Sequence, residues 1–308
     1  MNLTLKNTAI ASVLFALTVV SSCETSLESW FRGNSGKLRA AIVPPDAILV
    51  QNPVSGLLVQ FHSEDGQQTN STEVKSPKAP GWYKIAIEQN GVHKILEGLR
   101  LITLTPFSAK KDGRIGNYFM GVWPFEQQPA ASVAYASPVG FIEVTLKNIN
   151  QQLSEHFKIS DFVDKDQASV WPKYLALDTR LVDKLELIID ELNKAGIPVK
   201  HLSVMCGFRS PYSNGTFGDP RGRGKLSRHM YGDAADIYVD NDLSGWTDDI
   251  NHDGRIDIAD ARLLAKVAER VEAKYPHLLG GIGIYPATST HGPFIHVDVR
   301  GQAARWNG

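Results

Sequence analysis

Two histidines and two aspartates lie in short segments that could build a metal centre. His229 precedes Asp236 by seven residues, and His296 precedes Asp298 by two. Apolar and polar residues alternate in 234–239 and again around His296, which predicts two β-strands. If the strands are neighbours, two imidazoles and one carboxylate converge and leave one position open, as in catalytic zinc sites. The alternative is a buried, hydrogen-bonded His/Asp cluster without metal.

The turn between His229 and Asp236 must bring the imidazole back over the carboxylate. On a continuous strand, an odd separation would place the two side chains on opposite faces. Gly232 permits a bend at this point because glycine adopts backbone conformations that other residues avoid. Ala234 and Ala235 are small enough to let the imidazole approach.

Three segments, in this order along the chain, resemble motifs of the M15 metallopeptidases, the D-Ala-D-Ala carboxypeptidases and their relatives. The segment Gly207-Phe208-Arg209-Ser210 is similar to the family's G-[YF]-R-[ST] motif. Ser227, His229, Gly232, Ala234 and Asp236 match its SxHxxGxAxD signature, and 294–298 is similar to the strand that carries its third metal ligand. Together these motifs are a specific signal, and the resemblance extends over about 151–306.

The resemblance implies an α+β domain of the M15/hedgehog-like zinc peptidase fold in which His229, Asp236 and His296 bind Zn²⁺. Arg209 would direct its guanidinium at a substrate carboxylate or at the oxyanion. Ser227 would form a hydrogen bond to the substrate or to a metal ligand. The implied reaction is hydrolysis of peptide bonds in peptidoglycan stem peptides. Carboxypeptidase and endopeptidase action, and D,D and L,D bonds, remain open.

At the positions where part of the family has its general base, this chain has different residues. Some relatives have a glutamate three residues before the last ligand, where this chain has Pro293, and others have a histidine where it has Phe294. His291 lies five residues before His296 and is the candidate, because a histidine can take a proton from the attacking water near neutral pH. An ordinary loop histidine is the alternative. Asp298 is the other catalytic candidate: it would orient His296 or pair with Arg300, and it would become the base if His291 is not.

Two rival functions follow from the same residues. Hedgehog-type relatives show that this fold also occurs as a non-catalytic, zinc-containing binding protein, and a chain without a base would favour cell-wall binding of that kind. In the second rival, the N-terminal β domain carries the function and the C-terminal domain is a passive anchor.

A second metal site is predicted in 249–260, which resembles the calcium loop of dockerins and EF-hands. Gly254 stands at the sixth position, where a sharp turn is needed. The predicted ligands are the side chains of Asp249, Asn251, Asp253 and Asp260 and the backbone carbonyl of Arg255. An aspartate replaces the usual glutamate at the last position, which favours a weaker site. The implied cofactor is structural Ca²⁺, and the alternative is a solvated acidic turn.

The elements that position these residues form an α+β domain over 151–308. Apolar residues in 178–195 recur at helical spacing, with Asp178 as the predicted N-cap and Gly196 as the stop. A second amphipathic helix follows the calcium loop.

The part of the chain before residue 151 has a different pattern of apolar and polar residues. Short alternating runs in 38–107, with a hairpin signal at Asn90-Gly91, predict a small all-β, sandwich-like domain of unknown ligand. A Gly- and Pro-rich stretch over 108–150 is predicted to be a connector with packed aromatic residues.

The N-terminus predicts export. Residues 1–22 have the apolar stretch and small-residue end of a signal peptide, and Cys23 follows directly, which resembles a bacterial lipobox. We expect lipidation of Cys23, a tether over 23–37, and a location on the periplasmic side of a bacterial membrane, in particular the outer membrane. An ordinary signal peptide with an accidental cysteine is the alternative.

Composition narrows the choice of function. The net charge is −1 with acids and bases nearly balanced, which argues against nucleic acid as a partner. The two cysteines cannot build a disulfide framework or a cysteine-based zinc site, so any metal is expected to be held by histidine and carboxylate.

Overall fold

The computed structural model describes residues 31–49, 57–63, 66, 68–71, 74–89, 91–218, 220–221 and 223–308. They contain helices and strands in a mixed arrangement, which confirms the α+β class. The chain divides into two compact units, Met1–Thr105 and Pro106–Gly308. The predictions for 1–22 and Cys23 fall outside the described residues. Of the predicted tether, 31–37 are described, and the prediction is wrong there because Phe31 is buried in the core of the first unit. Among the described helices, none is long and apolar enough to cross a membrane.

The first unit is built on one five-stranded sheet. Its strands are β1 (Ala40–Val43), β2 (Leu57–Ser63), β3 (Gln68–Ser71), β4 (Gly81–Gln89) and β5 (Val92–Thr103). Their order is β1-β5-β4-β2-β3, with β1 parallel to β5 and the other pairs antiparallel. Gln89 pairs with Val92, and Gly91 between them has a φ of 77°. The predicted hairpin at this point is therefore confirmed.

The core of the first unit lies against one face of this sheet. Phe61, Ile85 and Leu101 are buried there and pack in one cluster with Phe31 and Val74, which lie outside the strands. The described part of the unit thus has a single sheet covered by non-strand segments, which differs from the predicted sandwich. The physical reason is that alternation reports a half-buried strand but not what covers its buried face.

The described residues of the second unit form short strands, three α-helices and several 3₁₀ turns. After β6 (Thr105–Pro106), which runs across the boundary, the strands are β7 (Arg114–Ile115), β8 (Tyr118–Phe119), β9 (Gly140–Val144), β10 (Lys173–Leu175), β11 (Leu202–Cys206), β12 (Ala234–Val239), β13 (Gly281–Tyr285), β14 (Phe294–Asp298) and β15 (Ala304–Asn307). The helices are α1 (Thr179–Lys194), α2 (Pro211–Thr216) and α3 (Ile258–Lys274). The 3₁₀ turns are Phe107–Ala109, Val133–Tyr135, Ile159–Asp161, Arg228–Tyr231 and Pro276–Leu278.

The central sheet of this unit has the order β11-β12-β14-β13-β15. Helix α1 packs against α3, and α3 packs against β13 and β14. Ile237 and Ile295 are paired and fully buried, as strand alternation requires for residues on one face of the sheet. Asp236, which directly precedes Ile237, and His296, which directly follows Ile295, therefore lie on the other face.

Helix α1 begins and ends as predicted. The Asp178 side chain accepts a hydrogen bond from the backbone N–H of Arg180, and Gly196 beyond the helix has a φ of 80°. An N-cap of this kind satisfies one of the free N–H groups of the first turn. The predicted helix and its N-cap are confirmed.

A buried cation ties the two long helices to the end of β14. The Lys184 ammonium group of α1 is fully buried and donates to the Glu272 carboxylate of α3 at 2.6 Å. It also donates to the backbone carbonyl of Asp298 at 2.8 Å. Because an unpaired buried charge is costly, this ion pair holds α1, α3 and β14 in a fixed arrangement.

Much of the predicted connector belongs to the second unit. Strand β9 pairs antiparallel with β10. The Trp123 indole is buried and donates to the backbone carbonyl of Met230 at 2.9 Å. The segment after the first unit is therefore packed beside the turn that carries His229, and does not form a separate linker.

Candidate metal centre

A 3₁₀ turn (Arg228–Tyr231) and the following glycine place His229 over the sheet. Gly232 is left-handed, with φ of 74°, and a Cβ at this position would lie 2.1 Å from the backbone oxygen of Ala176. A residue other than glycine would therefore meet both backbone strain and a steric clash. The bend predicted at Gly232 is present, and strand β12 has the predicted bounds.

The other two predicted zinc ligands face each other across two neighbouring strands. Asp236 on β12 is the direct register partner of His296 on β14. Residues directly opposite in an antiparallel pair place their side chains on the same face. Sixty residues of sequence separate the two side chains, and the pairing of β12 with β14 removes that separation.

The ligand atoms of these residues form a nearly equilateral triangle. The Nε2 of His229 lies 3.2 Å from the Nδ1 of His296 and 3.3 Å from the Oδ1 of Asp236. The Nδ1 of His296 lies 3.0 Å from the same oxygen. A tetrahedral ion with bonds of ~2.0–2.1 Å separates its ligand atoms by roughly 3.3 Å. The three atoms thus occupy three corners of a tetrahedron of the size that zinc requires.

Hydrogen bonds on the far side of each ring fix which nitrogen carries the proton. The Nδ1–H of His229 donates to the carbonyl of Gly207 at 2.6 Å. The Nε2–H of His296 donates to the Oδ2 of Asp298 at 3.2 Å. When both rings are neutral, the remaining nitrogens present lone pairs toward the oxygen of Asp236, whereas a protonated His296 donates its Nδ1–H to that oxygen at 3.0 Å. In the neutral form, three acceptors this close repel one another unless a cation lies between them, so the neutral donor set fits a metal ion.

Burial and mutual contact shift the pKa values of these three groups. Burial lowers the pKa of His229. For His296, burial alone would lower the pKa, but the hydrogen bonds with Asp236 and Asp298 outweigh it and raise the pKa. For Asp236, burial alone would raise the pKa, but contact with both histidines keeps it well below its usual range. The pocket accordingly favours positive charge beside an ionised carboxylate.

Asp298 is placed behind His296 and not in front of the ligand atoms. It is fully buried and accepts hydrogen bonds from His296, from the backbone N–H of Gly281 at 2.8 Å, and from Arg300. The Arg300 guanidinium approaches both carboxylate oxygens, with Nε 2.9 Å from each. A carboxylate with so many donors suits orientation of His296 and is unsuited to accept a further proton. The hypothesis that Asp298 orients His296 fits this geometry, and its role as substitute base does not.

Arg209 and Ser227 lie side by side at the predicted substrate site. The Arg209 Nη2 donates to the Ser227 hydroxyl at 3.3 Å, and the backbone N–H of Arg209 donates to the carbonyl of His229 at 3.2 Å. The Nε of Arg209 is buried and has no hydrogen-bond partner among the described residues. A buried donor without a partner is costly. It is therefore available to an oxygen of a bound ligand.

His291 is half-buried in the loop that leads into β14. Its ring meets that of Phe294 edge-on at 5.0 Å, and its Nδ1 lies 2.8 Å from the carbonyl of Gly292. With Nδ1 donating to this carbonyl, the Nε2 carries the lone pair of a potential base. The described residues offer no hydrogen bond between His291 and the three ligand side chains.

The predicted calcium loop forms the expected sharp turn, with Gly254 at φ of 84°. One oxygen of Asp249 accepts the N–H of Gly254 at 2.9 Å, and its other oxygen is buried without a partner. Asn251 and Asp253 each accept a backbone N–H two residues ahead. The loop around Arg255 is exposed. These oxygens form a ligand set suited to a hard cation.

Asp260, the last predicted calcium ligand, forms hydrogen bonds with backbone N–H groups in the structure. Asp260 is fully buried in the first turn of α3, where it forms a capping box with Asp257. Its carboxylate also accepts the backbone N–H groups of Ile250 and Asn251 at 3.0 and 3.3 Å. The shorter aspartate thus closes the loop onto the helix, and its oxygens are engaged by backbone donors.

Sequence reasoning missed two groups with ligand atoms close together. Cys206, His229 and Asp236 present ligand atoms within 4.8 Å of one another, and so do Asp240, Asp242 and Asp248. Burial raises the pKa of the Cys206 thiol to about 12. The position of the cysteine directly before the Gly-Phe-Arg-Ser segment was the available signal for the first group. The aspartates two residues apart at 240 and 242 were the signal for the second.

The chain was compared with protein families, curated proteins and solved structures, and none of these comparisons gave a match. The geometry of the centre itself therefore has to support any function assigned to it.

Proposed function

We propose that this protein is a zinc-dependent peptidase that hydrolyses peptide bonds in peptidoglycan stem peptides. The observation that supports this most directly is the triangle of ligand atoms formed by His229, Asp236 and His296, with sides of 3.0–3.3 Å. Two imidazoles, one carboxylate and an open fourth position are typical of catalytic rather than structural zinc. The choice of substrate rests on the resemblance of three segments to the M15 metallopeptidases.

In this proposal each ligand is held by a neighbour. Gly207 fixes the tautomer of His229 through its carbonyl, and Asp298 fixes that of His296 through its carboxylate. Outer partners of this kind orient imidazole ligands and make them more basic. A zinc ion bound there would supply Lewis-acid chemistry, polarising a carbonyl and making water a better nucleophile.

Arg209 is proposed to bind the substrate. Its backbone is tied to His229, and its buried Nε lacks a partner among the described residues. The guanidinium is permanently charged and offers several donors in one plane, which suits a carboxylate or a developing oxyanion. The Ser227 hydroxyl accepts from Arg209 and so limits the orientations of its side chain.

His291 is proposed to be the general base. Its Nδ1 faces the carbonyl of Gly292, which leaves Nε2 to take a proton from water and return it to the leaving amine. The described conformation shows no contact between His291 and the ligands. Its role therefore requires that the substrate or water bridge the gap, as catalytic hydrogen bonds often tighten only in the complex.

Metal analysis combined with mass spectrometry of digested muropeptides tests the proposal. We expect one zinc per chain and release of stem-peptide fragments, whose masses identify the bond that is cleaved. Truncation in His291→Ala should lower turnover by roughly a hundredfold or more with zinc still bound, because a general base contributes about 10²–10⁴. Zinc binding without hydrolysis of any stem peptide would favour a cell-wall binding protein. A chain that binds no zinc would contradict both functions.

The proposed location is the periplasmic side of a bacterial outer membrane, with the chain anchored through Cys23. Labelling with a radioactive fatty acid tests it directly. Cys23→Ser should abolish the label and release the protein from membranes, whereas Cys206→Ser should change neither. Label that persists in Cys23→Ser would contradict the anchor.

A further inference from the structure

Cys206 lies beside the proposed metal centre on the side opposite to His296. Strand β11 pairs with β12, and Cys206 is the register partner of Asp236. Asp236 in turn pairs with His296 on its other side. The three side chains therefore lie in one row on one face of the sheet, with Asp236 in the middle. His229 approaches this row from the preceding turn.

The strand is shaped so that the cysteine faces the carboxylate. The register of β11 against β12 shifts between Val204 and Cys206, as it does at a β-bulge. A bulge changes which face of the sheet the following side chain occupies, and bulges often occur beside functional sites. Among the described residues, the Cys206 Sγ has one weak hydrogen-bond contact, of 3.9 Å, with the carbonyl of Gly207.

The sulfur of Cys206 lies close to two of the three proposed ligands, His229 and Asp236. Ligand atoms of Cys206, His229 and Asp236 all lie within 4.8 Å of one another. In a tetrahedral site with Zn–S of ~2.3 Å and Zn–N of ~2.0–2.1 Å, sulfur and nitrogen are roughly 3.5 Å apart. The sulfur is therefore at most about 1.3 Å farther from these ligand atoms than a tetrahedral site requires, a distance of the order that a change of cysteine rotamer covers.

We propose that Cys206 is a fourth protein ligand of this centre, which binds the metal as a thiolate and gives the site a closed, four-ligand state. The inference rests on the proposed zinc function. When the metal–sulfur bond forms, the S–H bond breaks and its proton goes to solvent, so no oxidant or reductant is needed. Substrate access then requires the sulfur to leave, because a centre with four protein ligands has no open position. A thiolate ligand also shifts the preference of the site toward softer metals.

Cobalt substitution tests the coordination without relying on activity. The chain has two cysteines, so a Cys23→Ser background leaves Cys206 as its only thiol. Co²⁺ bound by this protein should show visible bands of a tetrahedral site and an intense near-ultraviolet thiolate-to-cobalt band. In Cys206→Ser, and in Cys206→Ala as a second variant, the near-ultraviolet band should be lost and the visible bands should remain. X-ray absorption of the zinc form should likewise show a sulfur at ~2.3 Å only when Cys206 is present.

The outcomes separate the two proposals. Visible bands without a near-ultraviolet band in the protein that retains Cys206 would overturn the thiolate ligand and leave the His/Asp/His centre intact. Absence of any cobalt spectrum from a folded chain would overturn the metal centre itself, and with it the role of Cys206.

Discussion

Asp298→Asn tests whether the Asp298 carboxylate keeps the proton of His296 on Nε2, so that Nδ1 can bind a metal. The carboxylate accepts from the His296 ring, the backbone N–H of Gly281 and the Arg300 guanidinium. An asparagine offers one acceptor oxygen and one NH₂ group in the same space. If the NH₂ group faces His296, the ring must accept at Nε2 and carry its proton on Nδ1, where the metal should bind. If it faces Arg300, two donors oppose each other.

The expected loss follows from the role of an outer partner. Removing a hydrogen-bonded carboxylate behind a ligating histidine weakens metal affinity about 10–100-fold, or roughly 1.4–2.7 kcal/mol. Zinc affinity is measured by competition with a chromophoric chelator. Thermal unfolding of the metal-free chain reports whether the variant is folded.

Glu272→Gln is the matched control for this substitution. Glu272 is another buried, ion-paired carboxylate of the same unit, bonded to Lys184, Arg305 and the backbone N–H of Gly280. Among the described residues it has no hydrogen bond to the site histidines. Both variants should lose stability because each disturbs a buried charge pair. Only Asp298→Asn should also lose metal affinity. A folded Asp298→Asn chain that binds zinc within about twofold of the natural protein would refute this account of His296.

Three further substitutions or additions have expected outcomes. Gly232→Ala should lower the free energy of unfolding, measured with denaturant, by about 2–3 kcal/mol or more, because the new Cβ would lie 2.1 Å from a backbone carbonyl oxygen. Gly301→Ala is the control: φ is 87° and no atom lies within 4 Å, so the loss should be only about 1 kcal/mol. Lys184→Met should destabilise the chain by about 3–5 kcal/mol, because it leaves the Glu272 carboxylate buried without its cation. Adding Glu272→Leu should recover part of that loss. A double variant no more stable than Lys184→Met would contradict the ion-pair account. Millimolar Ca²⁺ should raise the melting temperature of the natural chain but not that of Asp249→Ala. If the natural chain has the same melting temperature with and without Ca²⁺, the segment is a solvated turn.

Local pattern was enough to predict several elements and the residues that they carry. The alternation of 234–239 and the helical spacing after Asp178 each depend on residues a few positions apart, and both elements formed with the expected bounds. Gly232 could be identified from sequence because the required bend lies between two residues of one motif. The same local reading selected His229, Asp236 and His296 as a possible ligand set before their distances were known.

Pairings between distant segments were decided only by the tertiary structure. The contact between Asp236 and His296 depends on which strands are neighbours in a five-stranded sheet, and the placement of Cys206 depends on a register shift in β11. Both reflect the free energy of the whole sheet, which no short window of sequence contains. The same reason explains why 108–150, expected as a connector, is packed into the second unit. It also explains why Asp298, a candidate base by type, is enclosed by donors, an arrangement that suits it to orienting His296.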